Sequence, residues 1–428
     1  MILAEELLNL TRKQGITNAE VYQIKSYARP VCFEANRLKQ IESNQSDGIA
    51  LRLWQNNRPG LAVAYGEFTP DDLIAKAIAI SELNDPEEIL LTSDSKLIYP
   101  HQDSTADLPK MIEQGEKAVD VIRNNSPEAI VNLDLEWEQE ETTLMNSRGL
   151  HCQQTEISYS ASIAVELVRG DDFLEVYDGE YGHTPVNLDR CLQSILKKIK
   201  WAEKNATCEN KKMPVLFTPD GIVSFWYAIS EALNGKRILE KSSPWCDVLG
   251  QKVMSSALTI SQQPDLKPFD CPFDDEGLQT QKLSLIEKGE IKNIYTDRKT
   301  ATKLNTSPTG NGFRPSLGTY PTPDLVNLVI EAGDSTATEL INNLQEGIIV
   351  EQILGEGADI SGDFSFNVDL GYLVQDGGVV GRVKDTMITG NIYQVLQQVI
   401  GLGNDRLWSG SCYTPSVLFD RLSVIANK

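Results

Sequence analysis

The densest group of chemically capable side chains in the sequence is the acidic run Asp274-Asp275-Glu276. Three adjacent carboxylates could bind a divalent cation through their oxygen atoms, and an unconventional hydrolytic site could be built on them. The alternative is a structural loop, in which the carboxylates accept hydrogen bonds from backbone N–H groups. The residue types favour the structural loop, and the cation site stays open as the second interpretation.

A glycine-rich segment at 309–315 is the second candidate, because it places Gly310 and Asn311 shortly before Arg314. Glycine lets a backbone approach its neighbours closely, and a guanidinium can hold a carboxylate through paired hydrogen bonds. A mobile loop with a solvated arginine fits the same pattern equally well. The sequence therefore predicts either a carboxylate-binding loop or a loop without a ligand.

The histidines of the chain, His101, His151 and His183, are too far apart in sequence for a local metal motif. No two of them lie within five residues, so the spacing that puts two imidazoles on one helix face is absent. His183 could meet Asp178 and Glu180, but acids beside a glycine usually form a solvated hairpin tip. The GxSxG elbow and the Walker phosphate loop are absent as well. Local motifs thus predict neither a metal ligand set nor an activated nucleophile.

The composition disfavours several classes of function and location. The chain has 428 residues and a formal net charge of −22, which disfavours binding to nucleic acid and to anionic lipid. No run of 18 apolar residues occurs, and the N-terminus lacks a basic segment followed by an apolar one, so we expect neither a transmembrane helix nor a signal peptide. Seven cysteines without CxxC spacing are typical of reduced thiols in a cytoplasmic protein.

The hydrophobic patterns predict an α+β fold, because strands and helices alternate without a regular βαβ order. Residues 49–54 and 60–65 flank a turn-rich segment and predict a β-hairpin. We place a domain boundary in the polar segment 208–212. This gives an N-terminal α+β domain at 1–207 and a β-rich C-terminal domain at 208–428. Helices are predicted before Gly15 and over 69–83, 107–124, 188–204, 219–235 and 391–400.

A series of short motifs is spread along nearly the whole chain. By the order and spacing of these motifs, the sequence resembles the TldD/PmbA family, whose members have been called modulators of DNA gyrase and are similar to metallopeptidases. The motifs are Phe33-Glu34-Ala35-Asn36-Arg37-Leu38, Leu51-Arg52-Leu53-Trp54, Phe273-Asp274-Asp275-Glu276-Gly277, Gly289-Glu290-Ile291, Thr309-Gly310-Asn311, Gly347-Ile348-Ile349-Val350 with Gly355, Gly362-Asp363-Phe364-Ser365, Gly371-Tyr372, Asp376-Gly377, Gly390-Asn391 and Pro415-Ser416.

The family pairs two kinds of subunit, and the resemblance implies which kind this chain is. The TldD kind carries HExxxH on a helix early in the C-terminal domain and a further Cys ligand near the C-terminus, whereas the PmbA (TldE) kind lacks them. Here that helix corresponds to 219–235, and the slot falls on Trp226, Tyr227, Ser230 and Glu231, with no histidine. Cys412 lies near the C-terminus without histidine partners. The resemblance therefore implies a PmbA-like chain with no catalytic residue, no metal ligand and no cofactor of its own.

The resemblance also implies a partner and a substrate. We expect a heteromer with a TldD-like metallopeptidase subunit that carries the zinc, acting on unfolded or modified peptides held in a cleft. Loops that could line that cleft contain Asp274, Asp275 and Glu276, and Gly310, Asn311 and Arg314. Neither a nucleic acid nor a membrane is expected as a partner. The alternatives are an autonomous hydrolase with an unconventional site and a homodimeric peptide-binding scaffold.

Overall fold

The structure is a computed structural model that describes residues 4–99, 104–170, 172–355 and 357–426, so His101 lies outside the described residues. These residues form an α+β fold in which strands outnumber helices. The helices are α1 (Ala4–Lys13), α2 (Pro70–Glu82), α3 (Leu108–Asn125), α4 (Asp189–Trp201), α5 (Pro219–Leu233), α6 (Gly235–Leu239), α7 (Arg298–Leu304), α8 (Ala337–Asn342) and α9 (Ile392–Val395).

The N-terminal sheet is built from long antiparallel strands. Its main order is β4 (Arg58–Tyr65), β3 (Asn44–Gln55), β1 (Asn18–Glu34), β6 (Ile130–Asn146) and β7 (His151–Arg169). Three shorter strands join it: β2 (Arg37–Ile41) on β1, and β5 (Lys96–Ile98) and β8 (Asp172–Gly182) on β7. Alternate residues of a strand point to opposite faces, and Val131, Leu133 and Leu135 of β6 are buried in a core that includes α3 and α4.

The second sheet closes on itself. Its strands follow the order β17 (Glu346–Leu354), β10 (Lys211–Phe217), β24 (Val417–Ala426), β20 (Thr386–Asn391) and β18 (Asp363–Gln375), and β18 pairs back with β17. Closure removes the free edges of these strands. Three short strands extend the barrel: β19 (Gly378–Val383), β9 (Asn205–Ala206) and β21 (Val399–Leu402).

A third, open sheet lies beside the barrel. Its order is β13 (Glu290–Ile291), β12 (Leu283–Glu287), β11 (Ile260–Gln262), β16 (Leu328–Ile330), β23 (Cys412–Thr414) and β22 (Leu407–Ser409). The short strands β14 (Gly312–Phe313) and β15 (Thr322–Pro323) form a separate ribbon. Helix α5 contacts barrel strands β10 and β17 on one side and β22 and β23 on the other, so it is the element that joins the two sheets.

Most of the predicted elements are confirmed, and the exceptions have physical causes. The hairpin forms as β3 and β4, and Asn56 and Asn57 take the positive φ that its turn requires. The predicted helix at 391–400 is confirmed only in its first part, as α9, which ends at Val395; its extension is wrong, since the chain then pairs with β24 as β21. The β-branched pair Val399-Ile400 suits a strand better than a helix. The boundary at 208–212 stays a prediction, and Lys211 and Lys212 of that segment belong to β10.

A buried ion cluster joins the N-terminal elements to the barrel. The ammonium of Lys198 in α4 lies 3.4 Å from the Asp178 carboxylate in β8 and 3.6 Å from the Glu351 carboxylate in β17. It also donates a hydrogen bond to the Tyr177 carbonyl at 3.1 Å. All three charged side chains are buried, so each depends on the others for compensation of its charge.

Replacing Lys198 by methionine should therefore destabilise the fold strongly. Lys198→Met keeps the apolar stem but removes the cation from the buried Glu351 carboxylate and leaves Asp178 with Arg190 alone, which should cost about 3–5 kcal/mol of unfolding free energy. Chemical denaturation followed by circular dichroism measures the loss. Lys200→Met, on the exposed side of the same helix, is the matched control and should change stability by less than about 0.5 kcal/mol. Equal effects of the two substitutions would contradict this account of the cluster.

Candidate functional site

Helix α5 carries the predicted slot and is fixed by aromatic packing. Phe225 lies against Phe217 of β10 and Phe364 of β18, each with a ring-centroid distance of 5.1 Å, and against Phe419 of β24 at 5.7 Å. Pro219 opens the helix at a position where the missing N–H has no helical partner. The helix thus holds a fixed orientation toward β22 and β23.

Trp226 occupies the first position of the slot and is completely buried. Its indole Nε1–H donates a hydrogen bond of 2.8 Å to the Thr414 hydroxyl in β23. An indole nitrogen is a donor only, so it has no lone pair to offer a metal ion. Trp226 therefore bonds α5 to the strand that carries Cys412, and the structure brings the slot and this cysteine into one neighbourhood.

The remaining slot residues also have partners within the chain. Ser230 donates a hydrogen bond to the Trp226 carbonyl at 2.9 Å, and Glu231 forms an ion pair of 2.7 Å with Arg237. Tyr227 is 49% exposed. Burial, with a smaller contribution from Cys412, raises the pKa of its phenol. Tyr227 is thus the most accessible aromatic group of the slot.

The donor set beside α5 does not fit a zinc ion. Burial raises the pKa of the Cys412 thiol to about 12. Zinc binds cysteine as thiolate, usually together with imidazoles, and the slot holds no histidine. The Glu231 carboxylate is already paired with a guanidinium. Across the four described ranges, no three His, Cys, Asp or Glu side chains are grouped so that they could hold a metal ion.

The acidic run is buried, and its carboxylates stabilise the surrounding loops through hydrogen bonds with backbone N–H groups. Asp274 accepts hydrogen bonds from the backbone N–H groups of Glu276 at 3.0 Å, Leu278 at 2.8 Å and Gly312 at 2.9 Å. Asp275 accepts one from the Arg314 N–H at 2.7 Å. These contacts agree with the structural interpretation that the sequence favoured, and they bring the acidic run and the glycine-rich segment together.

The glycine-rich segment packs against the acidic run without room for larger residues. Gly310 has a φ of +71°, and a Cβ there would lie 2.5 Å from the Gln279 carbonyl. Asn311 is fully buried, and its amide donates to Gln262 Oε1 and to the Asp324 carbonyl, both at 2.7 Å. A role of these two loops in binding peptides stays a prediction.

Arg314 does hold a carboxylate, and the carboxylate belongs to the chain itself. Its guanidinium donates to Glu20 Oε1 at 2.6 Å, and Arg52 lies 2.9 Å from the same oxygen. The side chains of Arg314 and Glu20 are only 3% and 2% exposed. Glu20 in β1 and Arg52 in β3 were not predicted, although a glutamate among the apolar residues of a buried strand is a usable indication.

Burial shifts the proton affinities of the acidic run toward neutrality. It raises the pKa of Asp274 to about 7, of Asp275 to about 6 and of Glu276 to about 8. Backbone hydrogen bonds oppose the shift at all three residues, and the charge of Asp274 adds to it at Glu276. These carboxyls hold protons more tightly in the folded chain than in the unfolded one.

The histidine site considered from sequence does not form. Asp178 and Glu180 both pair with Arg190, at 3.1 and 3.4 Å. His183 instead lies 2.8 Å from the Asp270 carboxylate and 2.8 Å from the Ile157 carbonyl. The contacts of His183 with Asp270 and Ile157 were not predicted from the sequence.

Comparisons with known proteins agree with this geometry. The family model described as the PmbA/TldA metallopeptidase C-terminal domain matches residues 210–426. A Metalloprotease PmbA homolog of Haemophilus influenzae is 24% identical, and the match spans 98% of this chain and 94% of that protein. A Metalloprotease of Methanothermobacter thermautotrophicus is 32% identical over 188 residues, which is 43% of this chain and 41% of that protein.

The fold also matches a solved structure. The crystal structure of TldE from Thermococcus kodakarensis superimposes with a TM-score of 0.90, at 22% identity, over 99% of each chain. At this level of identity the likeness shows the shared fold. The architecture of barrel, open sheet and long-stranded N-terminal sheet is therefore that of a known structure.

Truncation of Trp226 should separate its packing from its hydrogen bond. Trp226→Ala leaves a large cavity and should lower the unfolding free energy by about 3–5 kcal/mol. Trp226→Phe keeps most of the volume and loses mainly the bond to Thr414, which should cost about 1 kcal/mol. Denaturant unfolding of both variants measures the two losses. A negligible effect of the alanine variant would show that α5 does not depend on this side chain.

The acidic run predicts a pH dependence of stability. Because the folded pKa values are raised, the stabilisation is complete only below the unfolded pKa values of about 4 and is lost as the pH rises from there through about 6 to 8. Glu276→Gln can still accept the bond from the Arg298 N–H, which Glu276 makes at 2.8 Å, but has no proton to lose. Its unfolding free energy should fall less steeply over this interval. Glu113→Gln, on the exposed side of α3, should keep the wild-type slope, and an unchanged slope in Glu276→Gln would refute the assignment.

Proposed function

Because the chain belongs to the PmbA/TldD metallopeptidase family, we propose that it is a non-catalytic, TldE-like subunit of a TldD-type peptidase complex. The observation that carries this proposal is the state of the slot on α5. Trp226 is bonded to Thr414, Glu231 is paired with Arg237, and Cys412 is a buried thiol. None of these groups can serve as the imidazole ligands that a zinc-bound water requires.

The proposed substrates are unfolded or modified peptides, and an open sheet edge supports this. Strand β22 pairs with β23 and with no other strand in the described part of the chain, and it contacts α5. An extended peptide can add to such an edge through backbone hydrogen bonds, which makes binding depend little on sequence. The edge would place a peptide beside α5, where a TldD-like partner could reach it.

The remaining features of the chain are compatible with a cytoplasmic peptidase subunit. All seven cysteines are free, as expected in a reducing compartment. Among the described residues, no helix is long and apolar enough to cross a membrane. The net charge of −22 opposes binding to nucleic acid, so the proposal includes no contact with DNA.

Zinc analysis tests the non-catalytic role. The purified chain, incubated with zinc and then desalted, should retain far less than one zinc per molecule when measured by inductively coupled plasma mass spectrometry. A TldD-like chain from the same cell, treated in parallel, is the positive control. One zinc per molecule that disappears in Cys412→Ala would overturn the proposal and indicate a metal site beside α5.

Reconstitution tests the partnership. We expect this chain alone to leave an unfolded peptide intact, and a mixture with the TldD-like chain to cleave it faster than either chain alone, in a reaction stopped by a zinc chelator. Size-exclusion chromatography of the mixture should give one heteromeric peak. Cleavage by this chain alone would favour an autonomous hydrolase. A homodimer that neither binds nor activates the TldD-like chain would favour a scaffold.

A further inference from the structure

His183 lies between two acceptor oxygens, and this favours its charged form. Its Nδ1 is 2.8 Å from the Ile157 carbonyl, and its Nε2 is 2.8 Å from the Asp270 carboxylate. A neutral imidazole has one N–H and can satisfy only one of these oxygens, whereas the imidazolium has two. The pKa of Asp270 is lowered, first by its hydrogen bond to His183, so the carboxylate accepts rather than donates. The geometry thus favours a charged His183.

The bond to Asp270 connects the N-terminal sheet to the junction loop, which we define as residues 264–272. The bond to Ile157 holds the imidazole on that sheet, because Ile157 belongs to β7 and His183 follows β8. Phe269 of the loop stacks on Tyr181 of β8, with ring centroids 5.1 Å apart. The imidazolium therefore supplies the charged part of a contact whose other part is aromatic stacking.

The junction loop is also linked to the neighbourhood of α5. On its other side Phe269 contacts Trp408 of β22 at 4.8 Å, and Trp408 stacks on Tyr413 of β23 at 4.8 Å. These are the strands that contact α5. A change in the position of the loop would therefore be transmitted to the strands beside the slot.

The loop lines a cavity of about 450 Å³ whose wall includes His183. Its other walls come from β7, from the loop itself and from residues 279–280. Carboxylates outnumber cations here, which favours a charged imidazole. The titratable groups around His183 are Glu156 of β7, Tyr181 of β8, Tyr99 after β5, and Asp265, Lys267 and Asp270 of the loop, with Glu138 of β6 close to Glu156.

We propose that His183 is a proton-operated latch. While the imidazole is charged, His183 holds the junction loop at the wall of this cavity, and when the imidazole loses its proton, the loop loosens. Deprotonation leaves one ring lone pair facing an acceptor oxygen at 2.8 Å, so one of the two bonds is replaced by repulsion. The pKa of His183 is raised above its ordinary value, mainly by the bond to Asp270 and against the effect of burial. The latch is therefore closed at acidic pH and opens as the pH rises through this raised value. This inference goes beyond the proposed function and does not depend on it.

Hydrogen exchange followed by mass spectrometry tests the latch in the full chain. After correction for the intrinsic pH dependence of exchange, amides of residues 264–272 should exchange about tenfold faster at pH 8.5 than at pH 6, because a charge-assisted bond has been lost. His183→Gln has no titrating ring, so this difference should vanish. His151→Gln, on β7 away from the loop, is the matched control and should behave as the wild type.

A second measurement follows the protonation of the imidazole directly. With nitrogen-15-labelled histidine, NMR should show one of the three imidazoles titrating with a midpoint above that of an ordinary histidine. Asp270→Asn should move this midpoint to lower pH. The proposal fails if loop exchange in the wild type is independent of pH, if His183→Gln keeps the wild-type difference, or if no imidazole shows the raised midpoint.

Discussion

The arrangement of the chain depends on one buried carboxylate. Glu20 in β1 is buried and forms ion pairs with two guanidinium groups. Arg52 belongs to the neighbouring strand, and Arg314 lies 294 residues further along the sequence. A buried charge of this kind is tolerated only if its partners stay in place. The N-terminal sheet and the loop after β14 must therefore fold against each other. The Lys198 cluster and the His183 bridge act in the same way elsewhere along this junction, so opposite charges reinforce the shared apolar core.

This constraint distinguishes the loops that hold the shape of the molecule from the surface left open beside α5. The acidic run and the glycine-rich segment make hydrogen bonds within the chain through Asp274, Asp275 and Asn311. In contrast, Tyr227 and the free edge of β22 remain accessible beside α5. The accessible surface next to the slot is consequently the better candidate for contact with a peptide or a partner, and the charged junction is the better candidate for controlling its position.

Local sequence patterns predicted the helices and strands whose formation depends mainly on neighbouring residues. The spacing of apolar residues and the flanking proline and asparagine residues identified α5 and the β3–β4 hairpin, and the position of the slot followed from its distance to Gly235. The sequence also favoured the correct interpretation of Asp274. It could not identify the partner of Arg314, because Glu20 lies 294 residues away and no local pattern encodes a pairing at that separation. The same limit applies to α9, where pairing with β24 overrides a weak helical pattern.

The slot on α5 shows how its residues belong to the packing of the fold. A histidine at position 226 without a metal would place a polar ring in an apolar, fully buried space, where an unpaired polar group costs about 1–3 kcal/mol. Tryptophan fills that space and directs its only polar atom at Thr414. Glu231 pairs with Arg237 at the surface. Because Trp226 is part of the packing, a histidine introduced at this position alone would destabilise the helix.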